Sequence, residues 1–330
     1  MRRRELVASI GSSAALWPLA SFGQQQGKMR RLGILMAVAE SDPDVRAGLK
    51  VFTETLRELG WERGRNIQLE YRWGDSNGER IASFAKELVQ LSPDILVAHS
   101  TPPTAALRRE TRSIPIVFLT VTDPVGQGLV ASLAHPGGNV TGFSVFEASL
   151  GAKWLQLLSE IAPSIRRAHI IFNPVTAPYY GLYLKVIGEQ AASFTIEAIP
   201  VQVHNEAELA QAIVTVANLP PTGLFVLPDS SNIVHRNLII ALAAQYRLPA
   251  IYYFRYFAKA GGLITYGPDE LDLFRRTAGY VARILSGDDP ANLPVQVPSK
   301  WEMAINLKTA TALGLAVPES LLARADEVIE

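Results

Sequence analysis

The sequence predicts an α/β protein of two Rossmann-like lobes, each built on a parallel sheet. The chain has 330 residues, more than a typical single domain. Apolar, β-branched runs of strand length alternate with segments of helical spacing, and this alternation begins again near residue 150. Hydrophobic residues make up 48% of the chain and charged residues 19%, a balance typical of a packed globular protein.

The first half alternates strands and helices. Residues 31–38 predict a strand that is buried on both faces, because Arg31 is followed by a continuous apolar run. The helix predicted at 44–60 places Val45, Leu49 and Phe52 on one face and ends at a glycine. The other elements predicted in this half are strand 66–73, helix 79–91, strand 94–100, helix 103–111 and strand 114–121.

The second half repeats this order of elements. Its predicted elements are helix 153–161, strand 167–173, helix 180–194, strand 195–201, helix 206–219, strand 223–230, helix 236–247 and strand 249–254. Strands joined by helices of this length form parallel sheets with right-handed crossovers. We expect the first lobe to contain residues 29–146 with part of the C-terminal region at about 267–290. The second lobe would contain residues 147–266 with part of 291–330.

Residues 1–23 have the features of an export signal peptide. Arg2, Arg3 and Arg4 precede a modestly apolar segment that is too short and too broken to span a bilayer. Small residues at 21 and 23 place the cleavage near Gln24, and the Arg3-Arg4 pair also fits the twin-arginine route. The alternative is a buried N-terminal helix. The leader favours export to the periplasm.

Composition narrows the classes of function. Lys plus Arg and Asp plus Glu both number 31, so nothing indicates a nucleic acid partner. The absence of cysteine excludes disulfides, thiolate nucleophiles and thiolate metal sites. The histidines, at positions 99, 135, 169, 204 and 235, lack the spacing of metal ligands. The sequence also contains no GxSxG motif of a nucleophilic serine. We expect no catalysis, no cofactor and no metal.

One loop offers an alternative, a dinucleotide site. Gly126-x-Gly128-x-x-Ala131 follows a predicted strand, and Glu147 lies about 20 residues on, where a ribose-binding acid is expected. However, residues 122–125 separate the glycines from the strand, and the segment ends at Pro136, although a pyrophosphate needs a helix N-terminus directly after the turn. The glycines are better explained as turn residues leading into a short helix.

Polar residues follow the predicted strands in both halves. Carboxyl ends of parallel strands are where ligands bind in such sheets. The candidate ligand-binding residues there are Glu40, Ser41, Ser100, Thr101, Thr122 and Asp123 in the first lobe and Asn173, Asp229, Ser230 and Tyr253 in the second. Each could instead be a helix cap or a turn residue, since Ser, Thr, Asp and Asn are favoured there. Their recurrence at equivalent edges of both halves favours a cleft between two lobes.

Several long motifs carry a family resemblance. TDPVGQGLVASLAHPGGNVTGFS (122–144) resembles the signature of ABC transporter substrate-binding proteins in the group that includes tryptophan- and tyrosine-binding proteins. The motifs at 56–75, 171–180 and 248–269 and the tail 305–330 are similar to that group as well. The resemblance implies a type I periplasmic-binding-protein fold, in which two α/β lobes joined by three crossing strands close on a solute. It also implies delivery to a membrane permease driven by an ATPase.

The family's ligand loops fall on residues already singled out. They correspond to 100–101, 122–123, Asn173, 229–230 and 253–254. The chain departs from the amino-acid-binding members in lacking a lipid-anchor cysteine and in having LPDSSN (227–232) where they have Thr-Asp-Asn.

Aromatic residues suggest the chemistry of the solute. They lie at or beside the second-lobe loops and are Tyr179, Tyr180, Tyr252, Tyr253 and Tyr266; strand alternation assigns Tyr252 to the core. Rings beside the hydroxyls of the first lobe suit a small carboxylate, such as an amino acid, with an apolar or aromatic part. Asp229 would pair with an ammonium or a hydroxyl of the solute. We therefore predict a monomeric periplasmic solute-binding component of an ABC importer. The alternative is an exported NAD(P)-dependent oxidoreductase that uses the 126–131 loop.

Overall fold

The computed structural model describes residues 29–145, 147–219 and 221–330. The proposed signal peptide, residues 1–23, lies outside them. Within the described ranges, no helix is both long enough and apolar enough to cross a bilayer.

The first sheet has five parallel strands in the order β2-β1-β3-β4-β5. The strands are β1 (Arg30–Met36), β2 (Ile67–Trp73), β3 (Ile95–His99), β4 (Ile116–Val121) and β5 (Val140–Ser144), and the helices between them are α1 (Pro43–Glu58), α2 (Gly78–Gln90) and α3 (Thr101–Glu110). Strands β3, β4 and β5 are buried along their whole length. The elements from β1 to β4 match the prediction to within two residues at each boundary, whereas no bounds were predicted for β5.

Local sequence explains where α1 begins and ends. The Asp42 side chain accepts hydrogen bonds from the backbone N–H groups of Asp44 (3.0 Å) and Val45 (3.1 Å), and a proline occupies the first helical position. The helix is followed by Gly60, whose φ of 90° is a left-handed conformation that glycine adopts without strain.

The second sheet has seven strands in the order β12-β11-β10-β9-β8-β6-β7. Its strands are β6 (Arg167–Phe172), β7 (Glu197–Gln202), β8 (Thr222–Val226), β9 (Ala250–Tyr252), β10 (Ile264–Pro268), β11 (Trp301–Asn306) and β12 (Glu327–Ile329). The helices are α4 (Leu150–Ile161), α5 (Tyr180–Ala191), α6 (Glu206–Ala217), α7 (Ser230–Val234), α8 (Arg236–Gln245), α9 (Arg255–Lys259), α10 (Glu270–Leu285), α11 (Leu307–Ala312) and α12 (Glu319–Leu322). Strand β11 runs antiparallel to β10, so the expectation of a wholly parallel sheet is corrected here.

Helix α10 follows a strand of the second sheet but packs on the first. It lies along α1 and against β4 and β5. The approach of α10 to α1 is close, because a Cβ atom at Gly48 would lie 2.3 Å from the Phe274 ring. The chain then runs beside β5, where Ser144 N–H donates to the Gln296 carbonyl (2.9 Å), before it returns to the second sheet as β11.

Candidate functional site

The carboxyl ends of the two sheets face each other and are in contact. The Arg236 guanidinium donates to Asp42 Oδ2 and, at 3.1 Å, to Asp44 Oδ2. The hydroxyls of Ser76 and Ser230 are 3.0 Å apart. These contacts join the start of α1 and the loop after β2 in the first lobe to α7 and α8 in the second, so the lobes are closed in this structure.

The structure brings together three of the predicted first-lobe residues. The Thr122 backbone N–H lies 3.4 Å from Thr101 Oγ1, which links the ends of β4 and β3. Ser100 precedes α3, but its side chain makes no capping hydrogen bond. Instead its backbone N–H donates to the Leu119 carbonyl (2.8 Å). All of these hydroxyl-bearing residues are buried, at the edge of the sheet that faces the second lobe.

Asp123 shapes the glycine loop that follows β4. Its carboxylate accepts the Gly126 N–H at 3.0 Å, and a Cβ at Gly126 would lie 2.0 Å from that carboxylate. The short helix predicted after these glycines is wrong, because residues 124–139 form turns and bends that lead into β5. Without a helix N-terminus at this loop, the geometry of a dinucleotide pyrophosphate site is missing.

Asp229 organises the second lobe's edge. Its Oδ2 accepts the Asn173 N–H (2.8 Å), and its Oδ1 accepts the Ser231 N–H (2.9 Å) and the Thr176 hydroxyl. These bonds cap α7 and tie the loop after β6 to the loop after β8. Burial raises the pKa of Asp229 to about 6 from an ordinary 3.8, while the hydrogen bonds from Thr176, Asn173 and Ser231 oppose that rise.

Other predicted residues of this lobe are engaged locally. Asn173 Oδ1 accepts the Val175 N–H (2.9 Å) within its own loop. Tyr253 donates from its hydroxyl to the Asp229 carbonyl (3.0 Å), and Tyr179 donates to the Pro228 carbonyl (2.8 Å). Both rings are buried. These residues therefore hold the loops that face the first lobe.

Some predicted residues lie away from this junction. Glu40 and Ser41 are exposed, and the contact to the second lobe is made by Asp42 and Asp44 instead. The Tyr266 ring stacks on Trp301 of the antiparallel neighbour strand at 5.8 Å. As the alternation predicted, Tyr252 is a core residue; its ring stacks on Phe257.

A cavity of about 290 Å³ opens between the lobes beside Thr122 and Asp123. Polar groups on its lining come from Thr122, Asp123, Ser144, Glu147 and Tyr183. Its rim carries four exposed apolar side chains, those of Val125, Leu133, Leu182 and Val297. No Lys, Arg or His is among the described residues that line it. A larger cavity, about 700 Å³, is an open groove on α10 and β5 and does not adjoin the strand ends.

Tyr183 is the residue that sequence reasoning missed. Its side chain is fully buried, and its hydroxyl lies near that of Thr122 without forming a hydrogen bond to any described residue. Burial raises the pKa of Tyr183 well above its usual value. The available signal was its position four residues after Tyr179, since this spacing places both rings on one face of the segment. Glu147 had been weighed only as a ribose-binding acid.

Comparisons with known proteins agree with this architecture. The family model for "ABC transporter substrate binding protein" matches residues 34–329. The tyrosine-binding protein of Clostridioides difficile (strain R20291) is 26% identical over 288 residues, covering 87% of this chain and 82% of the relative. A crystal structure of a conserved domain protein from Vibrio cholerae is 30% identical, with a TM-score of 0.85 over 91% of this chain and 100% of that one.

A second solved structure shows the same fold. It is an ABC domain from Streptococcus pneumoniae in complex with L-Trp, 23% identical, with a TM-score of 0.82 over 91% of this chain and 99% of that chain. The predicted fold, two α/β lobes of the type I periplasmic-binding-protein class, is confirmed.

Proposed function

The chain belongs to the ABC transporter substrate-binding protein family, and we propose that it is the solute-binding component of an importer for an amino acid with an apolar or aromatic side chain. The two lobes close on the solute, and the closed protein delivers it to the permease in the inner membrane. In this proposal the protein acts in the periplasm, after export, as a monomer without catalytic activity.

The cavity between the lobes is the observation that carries this proposal. The carboxylates of Asp123 and Glu147 lie on its lining with no cationic side chain beside them, so they favour a solute that carries an ammonium group. Hydroxyls of Thr122 and Tyr183 can bond the solute's carboxylate, and the apolar rim suits an apolar side chain. An amino acid meets these requirements better than a carboxylate without an amine. The tyrosine-binding relative and the L-Trp complex support the same class.

The predicted ligand-binding residues take two roles in this proposal. Thr122 and Asp123, which line the cavity, contact the solute from the first lobe. Ser100 and Thr101 stand behind them at the end of β3, where Thr101 Oγ1 lies 3.4 Å from the Thr122 N–H. Asn173, Tyr179, Asp229, Ser230 and Tyr253 build the facing surface, because their polar groups already bond one another or neighbouring loops. This assignment moves Asp229 from a partner of the ammonium to the residue that positions the second lobe's loops.

Thermal shift and calorimetry with a matched set of compounds test the solute class. The set is L-tryptophan, L-tyrosine and L-leucine, with tryptamine lacking the carboxylate, indole-3-propionate lacking the amine, and ribose as an unrelated solute. A ligand at a hundred times its Kd stabilises the folded protein by about 2.7 kcal/mol. We expect at least one amino acid to bind and both truncated analogues to bind more weakly. Tight binding of ribose, or equal binding of indole-3-propionate, would contradict the proposal.

Variants in the cavity test the site itself. Thr122→Ala and Tyr183→Phe should each weaken binding by roughly ten- to a hundredfold, the value of one buried hydrogen bond to a charged group. Tyr183→Phe should leave the unliganded protein as stable as wild type or more so, since its hydroxyl has no partner there. Tyr180→Phe is the matched control, because this ring stacks on Phe172 at 4.6 Å. Unchanged affinity in both cavity variants would show that the solute binds at a different site.

Export and closure are tested separately. Edman sequencing of protein from a periplasmic fraction should begin near Gln24, whereas cytoplasmic protein that retains Met1 would refute export. Small-angle scattering should show a smaller radius of gyration with bound solute, because ligand selects the closed form. An unchanged profile at saturation would argue against lobe closure.

A further inference from the structure

We propose that Arg236 is a latch, a positioning residue that sets the affinity for the solute by stabilising the closed lobes without touching the solute. This inference rests on the proposed function. Arg236 opens α8 in the second lobe, while its two carboxylate partners, Asp42 and Asp44, stand at the start of α1 in the first. None of the three lines the cavity of about 290 Å³.

The two oxygens of Asp42 have separate partners. Oδ1 accepts the N–H groups of Asp44 and Val45 and so caps α1, whereas Oδ2 accepts the Arg236 guanidinium. One carboxylate therefore fixes the start of a first-lobe helix and reaches across to the second lobe. Arg236 is 7% exposed and Asp42 is 9% exposed, so the pair is shielded from solvent in the closed form. Such shielding makes the pair sensitive to losing either partner.

Arg236 has no carboxylate partner among the described residues of the second lobe. It is the first residue of α8 and directly follows α7 and its C-cap, His235. Its remaining contacts, the Ile233 carbonyl at 3.1 Å and the Tyr256 ring at 5.3 Å, come from the second lobe and offer no negative charge. Within the described chain, its ion-pair partners both belong to the first lobe. Opening the lobes therefore separates Arg236 from both carboxylates at once.

The expected effect follows from the population of closed protein. Apparent affinity equals the intrinsic affinity multiplied by the fraction of molecules able to hold the solute. A latch that favours closure tenfold therefore strengthens binding by up to about tenfold, with the full factor applying when the closed form is the minor form of the unliganded protein. It acts mainly on dissociation because the solute leaves only after the lobes open. Arg236→Met keeps much of the side chain's length and removes its charge. Asp42→Asn retains a capping oxygen while replacing the acceptor that faces Arg236.

Spin labels can report closure directly, since the chain has no cysteine to interfere. Cysteines introduced at the exposed positions Glu79 on α2 and Gln211 on α6 place one label on each lobe. Distances between the labels are measured by electron double resonance with and without L-tryptophan, and dissociation rates by stopped flow. The control is Arg167→Met, whose ion pair with Glu197 (3.6 Å) stays within the second lobe.

The proposal expects Arg236→Met and Asp42→Asn each to shift the unliganded protein toward the open distance. Each should also raise the dissociation rate about tenfold, and the double variant should be no worse than either single one. Unchanged distances in both variants, or fully additive effects, would overturn the latch. The distance measured without solute tests the latch even if L-tryptophan does not bind. Failure of L-tryptophan to bind would count against the proposed function and not against the latch. Should Arg236→Met fail to fold, Asp42→Asn carries the same test.

Discussion

The stability of the protein should increase as the pH falls from 7.5 to 5, on account of Asp229. Its pKa is raised to about 6 in the folded protein, against an ordinary 3.8. A raised native pKa means that the folded state binds the proton more tightly than the unfolded state. The contribution of Asp229 to the free energy of unfolding is then fully present below 3.8 and is lost as the pH rises through 6.

The size of the effect follows from these two values. The whole shift of about two pKa units corresponds to roughly 3 kcal/mol, at 1.36 kcal/mol per unit. Between pH 7.5 and pH 5, the folded protein takes up most of one proton at this site while the unfolded chain takes up little. Linkage then gives a gain of about 1 kcal/mol over that interval.

Urea unfolding at pH 7.5, 6 and 5 measures this contribution in the unliganded protein. Other groups titrate in the same range, so the informative quantity is the difference between wild type and Asp229→Asn at each pH. That difference should grow in favour of wild type by about 1 kcal/mol on acidification. Asp269→Asn controls for neutralising a helix-capping carboxylate, because Asp269 caps α10 through the Leu271 and Asp272 N–H groups. A difference that is flat with pH, or that shrinks on acidification, would refute the reasoning.

Two further predictions concern packing. Gly142→Ala should destabilise the fold by about 3 kcal/mol or more, because φ is 150° there and a Cβ would lie 2.0 Å from the Phe118 carbonyl oxygen. Chemical denaturation measures this loss. The control, Gly138→Ala, should be about as stable as wild type, because no atom lies within 4 Å of a Cβ there. Trp154→Phe should cost about 1–3 kcal/mol, because the indole N–H donates to the Tyr266 carbonyl at 2.6 Å; an unchanged unfolding midpoint would show that this bond contributes nothing to stability.

Periodicity was enough to predict most of the fold. Strands such as β4 are continuous apolar runs bounded by turn residues, and α1 has its apolar residues on one face, so local pattern and tertiary role agree. The antiparallel pair β10–β11 was missed for a physical reason. Strand direction depends on how the intervening chain returns, and α10 leaves the second sheet to pack on the first before β11 re-enters.

The site was predicted less completely. Strand ends gave Thr101 and Thr122, which the structure places in contact, because residues at one edge of a sheet must be neighbours. The pairing of Asp42 with Arg236 joins residues 194 positions apart, and no local pattern in one sequence encodes it. Asp229 was predicted as a ligand contact from its position at a strand end, but its carboxylate instead accepts hydrogen bonds that cap a helix and join two loops. Sequence position alone does not distinguish these two roles of a polar residue.

The packing of α10 on α1 has a consequence for the order in which the chain matures. Gly48 and Phe274 meet at that interface, so the first lobe's core includes residues synthesised more than two hundred positions apart. A nascent chain that ends before α10 leaves one side of α1 and of β4 uncovered, and long-range contacts of this kind form slowly. The second sheet must wait longer still, for β11 and β12, but the first lobe cannot finish folding until α10 has been made. Its apolar surface stays open to chaperones until nearly the whole chain has emerged from the ribosome.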